Sequence, residues 1–187
     1  MNHNYPLDAK FVSFFGNDSP FSQFYPAPIV GCSVIVGDQK DNTQKDSKLA
    51  FPTAEHWMHY YKAVLFEDVA VAAAILKAKT PKEAKRLGRT VSKFKEDVWS
   101  KYRVQIVLEA NIHKFMQHSD LCAILMATGD KFLVEASPYD KIWGIGLRKC
   151  PHDPTQWKGL NLLGRVLDKT KEYIKHHPHL NSESTHV

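Results

Sequence analysis

Three residues on one short stretch could do acid–base work. In TAEHWMHYYK, Glu55, His59 and Lys62 are spaced by four and three residues, so on a helix they share a face. A carboxylate held near cations can act as an acid or base, or bind a sugar hydroxyl. Read from the helix alone, the plainer account is a surface Glu–His pair, with Glu55 favoured by the helix dipole in the first turn. A second candidate is EASPYDKIWGIG, residues 135–146, which follows the apolar run Phe132-Leu133-Val134. It packs two carboxylates, a proline, a tryptophan and two glycines into a loop that must hold a particular shape. Within it, Asp140 lies three residues before Trp143, whose ring could stack on a planar base or pack in the core.

Metal chemistry finds little support. His56 and His59 are three apart, but the HExxH order is absent and no third ligand stands at a motif spacing. His176, His177 and His179 near the C-terminus suit adventitious chelation only. The cysteines Cys32, Cys122 and Cys150 are odd in number and far apart, which argues against a disulfide framework or a zinc knuckle.

These residues sit in a chain of 187 residues, 43% hydrophobic and 11% aromatic, a size that fits one domain with a sizeable core. The formal charge of +5 suits an anionic ligand, yet no basic arm or stripe marks a DNA-binding surface. KAKTPKEAKRLGR, residues 77–89, reads most simply as a solvated helix face. No signal peptide or membrane-length apolar run is visible, so a soluble, reduced, cytoplasmic protein is expected.

The elements that must position the candidates follow from pattern. Residues 11–15, 28–36, 49–51 and 131–135 read as strands, and 37–48 as a polar loop or lid. Thr53 caps a helix over TAEHWMHYYKAVLF; others are expected near 68–78, 81–88, 95–117, 121–127 and 160–175. The long helix carries two apolar rows, which predicts burial on two sides. The class is α+β: a single compact domain, mainly helical around a small β-sheet, with residues 1–10 as an extension and 176–187 as a disordered tail.

Five blocks in order resemble the YbiA-like (NADAR) family: FVSFFGNDSPFSQFYPAPI, FPTAEHWMHYYKA, AKRLGRTVSKFKEDVW, KFMQHSDLCAILMATGDKFLVEASPYDKIWGIG and WKGLNLLGRVL. The resemblance spans about residues 11–175. It implies an N-glycosidase that splits phosphoribosylamino-pyrimidines, early riboflavin-pathway intermediates, into ribose 5-phosphate and a free aminopyrimidine. Other branches imply hydrolysis of ADP-ribosylated guanine, and a non-catalytic ADP-ribose-binding module is the third alternative. No metal or organic cofactor is implied, no membrane, and nucleic acid only as a modified-base substrate. By position, the resemblance implies Glu55 and Asp140 as catalytic carboxylates, which reverses the plainer account of Glu55. It implies substrate contacts from Ser22, Lys62, Arg89, Trp99, Trp143, Gly144 and Asn161, with Lys62 and Arg89 on the phosphate and the two tryptophans on the base. Two departures stand out. Ile145 occupies the place of an aspartate in the WGDG of many members, and Ser22-Gln23 replaces Ser-Asn.

Overall fold

A computed structural model of the chain describes residues 5–6, 8–34 and 49–178. Strands β1 (Phe11–Phe14), β2 (Ile29–Gly31) and β3 (Leu49–Phe51) come first. Helices α1 (Ala54–Leu65), α2 (Val69–Lys77), α3 (Pro81–Gly88), α4 (Glu96–Gln117) and α5 (Ser119–Met126) follow, then β4 (Phe132–Glu135) and α6 (Leu162–His176). The class is α+β, with strands that pair as two separate ladders. β1 runs parallel to β4, and β2 runs antiparallel to β3. The expected polar loop at 37–48 and most of the tail lie outside the described residues.

One compact unit runs from Gln23 to Gln117; the other joins the chain up to Ser22 with that from His118 on. In the first, α1 packs against α2, α3 and α4. It starts where expected: the Thr53 side chain accepts the His56 amide, satisfying one of the N–H groups a helix start leaves without a partner. Trp57 and Ala63 are fully buried, and so are the polar residues Glu55 and His56 on the same helix. α3 starts at Thr80, which accepts the Glu83 amide, while Glu83 Oε2 accepts the Lys79 amide 2.9 Å away. Each side chain thus closes a donor of the other's segment, in the manner of a capping box.

α4 departs from expectation. Ile106, Ala110 and Phe115 are buried, but Val104, Leu108 and Ile112 are only half-buried. Glu109, Asn111 and Lys114 are buried in their stead. Asn111 is bonded on both sides: its Nδ2 donates to the Val107 carbonyl at 2.7 Å, and its Oδ1 accepts Gln23 Nε2 at 3.1 Å.

In the second unit, α6 lies against β4. Val134, Ala136, Ile145 and Trp157 form an apolar cluster joined by Tyr5 and Phe11. Tyr5 therefore packs within this unit, edge-on to Phe11, Phe132 and Trp157 at 5.4, 4.9 and 5.4 Å between ring centres. No helix among the described residues is long and apolar enough to cross a membrane.

Candidate active site

The expected surface pair on α1 is buried. Glu55 is 2% exposed and His59 7% exposed, and His59 Nε2 lies 3.0 Å from Glu55 Oε1. Two things hold Glu55 in place from behind. Its amide donates to the Gln23 carbonyl at 3.0 Å, and the Gln23 side chain is tied to Asn111 of α4. The Ser22-Gln23 departure thus falls on a residue that positions the start of α1. Ser22 itself is half-buried, its amide on the Ser19 carbonyl at 2.9 Å.

His59 carries its other ring nitrogen, Nδ1, buried and without a hydrogen-bond partner among the described residues. His56 faces elsewhere: Nδ1 meets the Thr53 hydroxyl at 2.8 Å and Nε2 the Ala78 carbonyl at 3.2 Å. Burial lowers its pKa, partly countered by the Ala78 carbonyl, so it serves as a neutral clamp between the helix start and the end of α2.

A lysine also reaches Glu55. Lys85 of α3 places its Nζ 3.7 Å from Oε1 and 5.4 Å from the centre of the Phe24 ring. Sequence reasoning missed Lys85, because KAKTPKEAKRLGR looks like a uniformly solvated face. The signal was Gly88: besides ending α3, it lets that helix press against the His59 ring, which the β-carbon of any other residue would overlap. That approach carries Lys85, one turn earlier, to Glu55.

The same helix borders an open groove of about 520 Å³ lined by Thr80, Lys82, Glu83, Lys85, Arg86 and Arg89. Four cations face it, and Glu83 is turned onto the Lys79 amide. Arg89, expected on a phosphate, is one of these lining residues. Lys62, its expected companion, is absent from this lining. Its Nζ donates to the Gly88 carbonyl at 2.9 Å and lies 4.1 Å from the Phe94 ring centre and 5.8 Å from that of Trp99. Burial lowers the Lys62 pKa, with Glu96 opposing and Arg89 adding to the shift. Trp99 is 8% exposed, a ring committed to packing and to Lys62.

The loop residues belong to the other unit. Asp140 Oδ1 accepts the amides of Ile142 and Trp143, both at 2.8 Å, and so closes a turn on itself. The carbonyls of Ile142, Trp143 and Gly144 then accept the amides of Leu162, Leu163 and Asn161 at 3.1, 3.1 and 3.2 Å. EASPYDKIWGIG is thus the cap that satisfies the free amides at the start of α6. Asn161 is fully buried in a left-handed conformation, φ 51°, which asparagine tolerates better than most residues. Its amide group accepts the Glu135 N–H and donates to Leu133 O and Tyr5 Oη. Gly144 is buried, with room for no side chain against the Glu135 and Asp140 carbonyls. Trp143 keeps a half-buried ring, whereas Ile145 is fully buried in the apolar cluster.

No group of three His, Cys, Asp or Glu side chains among the described residues is arranged to hold a metal ion.

The NADAR domain description matches residues 13–175. The chain belongs to the NADAR family. It is 40% identical over 169 residues to protein irg-1 of Caenorhabditis elegans, covering 88% of this chain and 79% of that one. It is 37% identical over 172 residues to an N-glycosidase of Acanthamoeba polyphaga mimivirus, covering 87% and 95%. A riboflavin biosynthesis protein of Zea mays is 34% identical over 179 residues, 90% of this chain and 26% of that longer one. The solved structure of Escherichia coli YbiA aligns with a TM-score of 0.68 at 27% identity, covering 94% of this NADAR chain and 96% of the YbiA chain.

Proposed function

We propose that this NADAR protein is an N-glycosidase that hydrolyses the bond between a phosphoribosyl group and an aminopyrimidine. One observation carries the reading. A buried carboxylate, Glu55, is held by His59 and Lys85, and Lys85 also lines a groove with three further cations. Cleavage of a glycosidic bond passes through an oxocarbenium-like sugar. A fixed negative charge in a place shielded from water stabilises that centre strongly. Water adds to the anomeric carbon, the carbon–nitrogen bond breaks, and the departing nitrogen takes a proton. Glu55 is assigned the role of charge stabiliser or base for the water, with His59 fixing its rotamer. Arg89 and Lys85 are assigned the phosphate. Lys62 is assigned to pinning the end of α3 through the Gly88 carbonyl. Asp140 is assigned to holding Trp143 by its backbone within its own unit. Names of relatives, one an N-glycosidase and one a riboflavin biosynthesis protein, support this substrate class.

The test is release of ribose 5-phosphate from the phosphoribosylamino-pyrimidine by wild type and by Glu55→Gln. Release by the wild type, with a loss of 100-fold or more in a folded Glu55→Gln on the order expected for such a group, upholds it. Undiminished release by Glu55→Gln overturns the assignment of Glu55.

A second reading is favoured by the charge of the groove. Lys82, Lys85, Arg86 and Arg89 offer more positive charge than one phosphate requires, which suits the diphosphate of an ADP-ribosyl substrate. Competition by ADP-ribose, and not by ribose 5-phosphate, distinguishes it.

A further inference from the structure

Lys85 belongs to two places at once. On one side it is the ammonium nearest a carboxylate that is 2% exposed; on the other it lines the α3 groove with Lys82, Arg86 and Arg89. Its side chain is about one-third exposed, while that of Glu55 is 3% exposed. The Nζ–Oε1 distance of 3.7 Å is longer than a hydrogen bond, so the pair is held by charge and not by fixed geometry. The contact of Glu55 with His59 is shorter, at 3.0 Å. A lysine is a compact charge on a flexible stem, free to swing between two anions that lie within its reach.

We infer that Lys85 is a positioning residue shared between Glu55 and a phosphate in the α3 groove, so that a bound phosphate draws the ammonium off the carboxylate. A phosphate carries more charge than a carboxylate and meets three other cations there, so it competes well for the ammonium. With the groove empty, the ammonium offsets the charge of Glu55 in a poorly screened place. With a phosphate seated, that ammonium no longer offsets the field of Glu55 just as the sugar arrives. Phosphate binding is thereby spent on kcat and not only on KM. The turnover arm rests on the N-glycosidase reading; the coupling itself does not.

The experiment has two arms, each run on wild type, Lys85→Met and Lys85→Arg. In the first, inorganic phosphate is titrated into protein carrying 13C-labelled glutamate, and the Glu55 carboxyl signal is followed together with the guanidinium signals of Arg86 and Arg89. Expected is a saturable shift of Glu55 in the wild type, in step with the arginines, absent in Lys85→Met and partly restored in Lys85→Arg. An unmoved Glu55 signal, arginines that ignore phosphate, or an equal response in Lys85→Met each overturns the inference. In the second arm, phosphorylated and dephosphorylated aminopyrimidine ribosides are compared with and without inorganic phosphate. Wild type is expected to gain about tenfold in kcat on the dephosphorylated compound when phosphate is added. Lys85→Met is expected to show a raised KM for the phosphorylated compound and no such gain. A coupling seen by the first arm with no turnover of either compound sinks the N-glycosidase reading and leaves the coupling standing.

Discussion

Gly88 and His59 touch so closely that no other residue fits between α3 and the imidazole. A β-carbon built on Gly88 overlaps Nδ1 and Cγ of His59, and the His59 ring is itself tied to Glu55. Gly88→Ala must therefore push α3 away or turn the ring. Overpacking of this kind costs about 1–3 kcal/mol. Expected is a lower denaturant midpoint with an unchanged slope, together with a fall in turnover larger than the fraction unfolded explains. Wild-type turnover in Gly88→Ala would show that the approach of α3 does not matter to Glu55.

Asp140 offers a cleaner separation of charge from shape. Its Oδ1 holds the Ile142 and Trp143 amides, and an asparagine at this place keeps an oxygen for both. Asp140→Asn is expected to keep the fold and to retain turnover within a few-fold. Asp140→Ala loses both bonds and is expected to cost about 1–2 kcal/mol. The pair of variants, compared by thermal melts and kinetics, decides between a loop clasp and a catalytic acid. A folded Asp140→Asn without turnover would restore the catalytic role.

Much of this arrangement was legible because its signals are local. Thr53 and the Thr80-Pro81 pair mark helix starts within a residue of those observed, and Leu49-Ala50-Phe51 forms the return strand as expected. Asp140 and Trp143 stood out for their spacing, although the partners of Asp140 proved to be its own neighbours' amides. What escaped was set by contacts far apart in the chain. Lys85 reaches Glu55 only because a glycine elsewhere on its helix meets a histidine on another. Lys62, expected on a phosphate, donates to a carbonyl 26 residues on, a contact no local pattern announces. Two ladders in place of one sheet follow from pairings, β1 with β4 and β2 with β3, that no local propensity encodes.

Ile145, where the resemblance leads one to expect the aspartate of WGDG, is a core residue. Its side chain is fully buried beside Val134, Ala136 and Trp157, and its backbone bonds Glu135 O and Lys158 N at 2.9 Å each. A carboxylate introduced here is placed against Val134, Ala136 and Trp157. Ile145→Asp is expected to lose roughly 3–5 kcal/mol, the range for an uncompensated buried charge, and Ile145→Val about 1 kcal/mol. Chemical denaturation at neutral pH measures both. A stable Ile145→Asp with raised activity would mean that position 145 can turn toward substrate.

Lys114 sets a pH dependence of stability. It lies fully buried on α4, 5.4 Å from the Tyr25 ring centre and 5.1 Å from that of Phe115. Burial lowers its pKa from 10.5 to about 7. The unfolded chain therefore binds a proton at this lysine between pH 7 and 10.5 that the folded chain does not. Stability rises with pH wherever the unfolded state holds more protons, so the penalty of burying Lys114 is largest below pH 7 and fades above it. Lys114→Met removes this dependence. The stability of the wild type relative to Lys114→Met is expected to improve by on the order of 2 kcal/mol between pH 7 and 9, read from urea midpoints at each pH. Taking the difference cancels the tyrosines, cysteines and other lysines that titrate in the same window, since both proteins carry them. A constant difference across that window would mean that Lys114 keeps an ordinary ammonium in the folded protein, held there by partners that offset its burial.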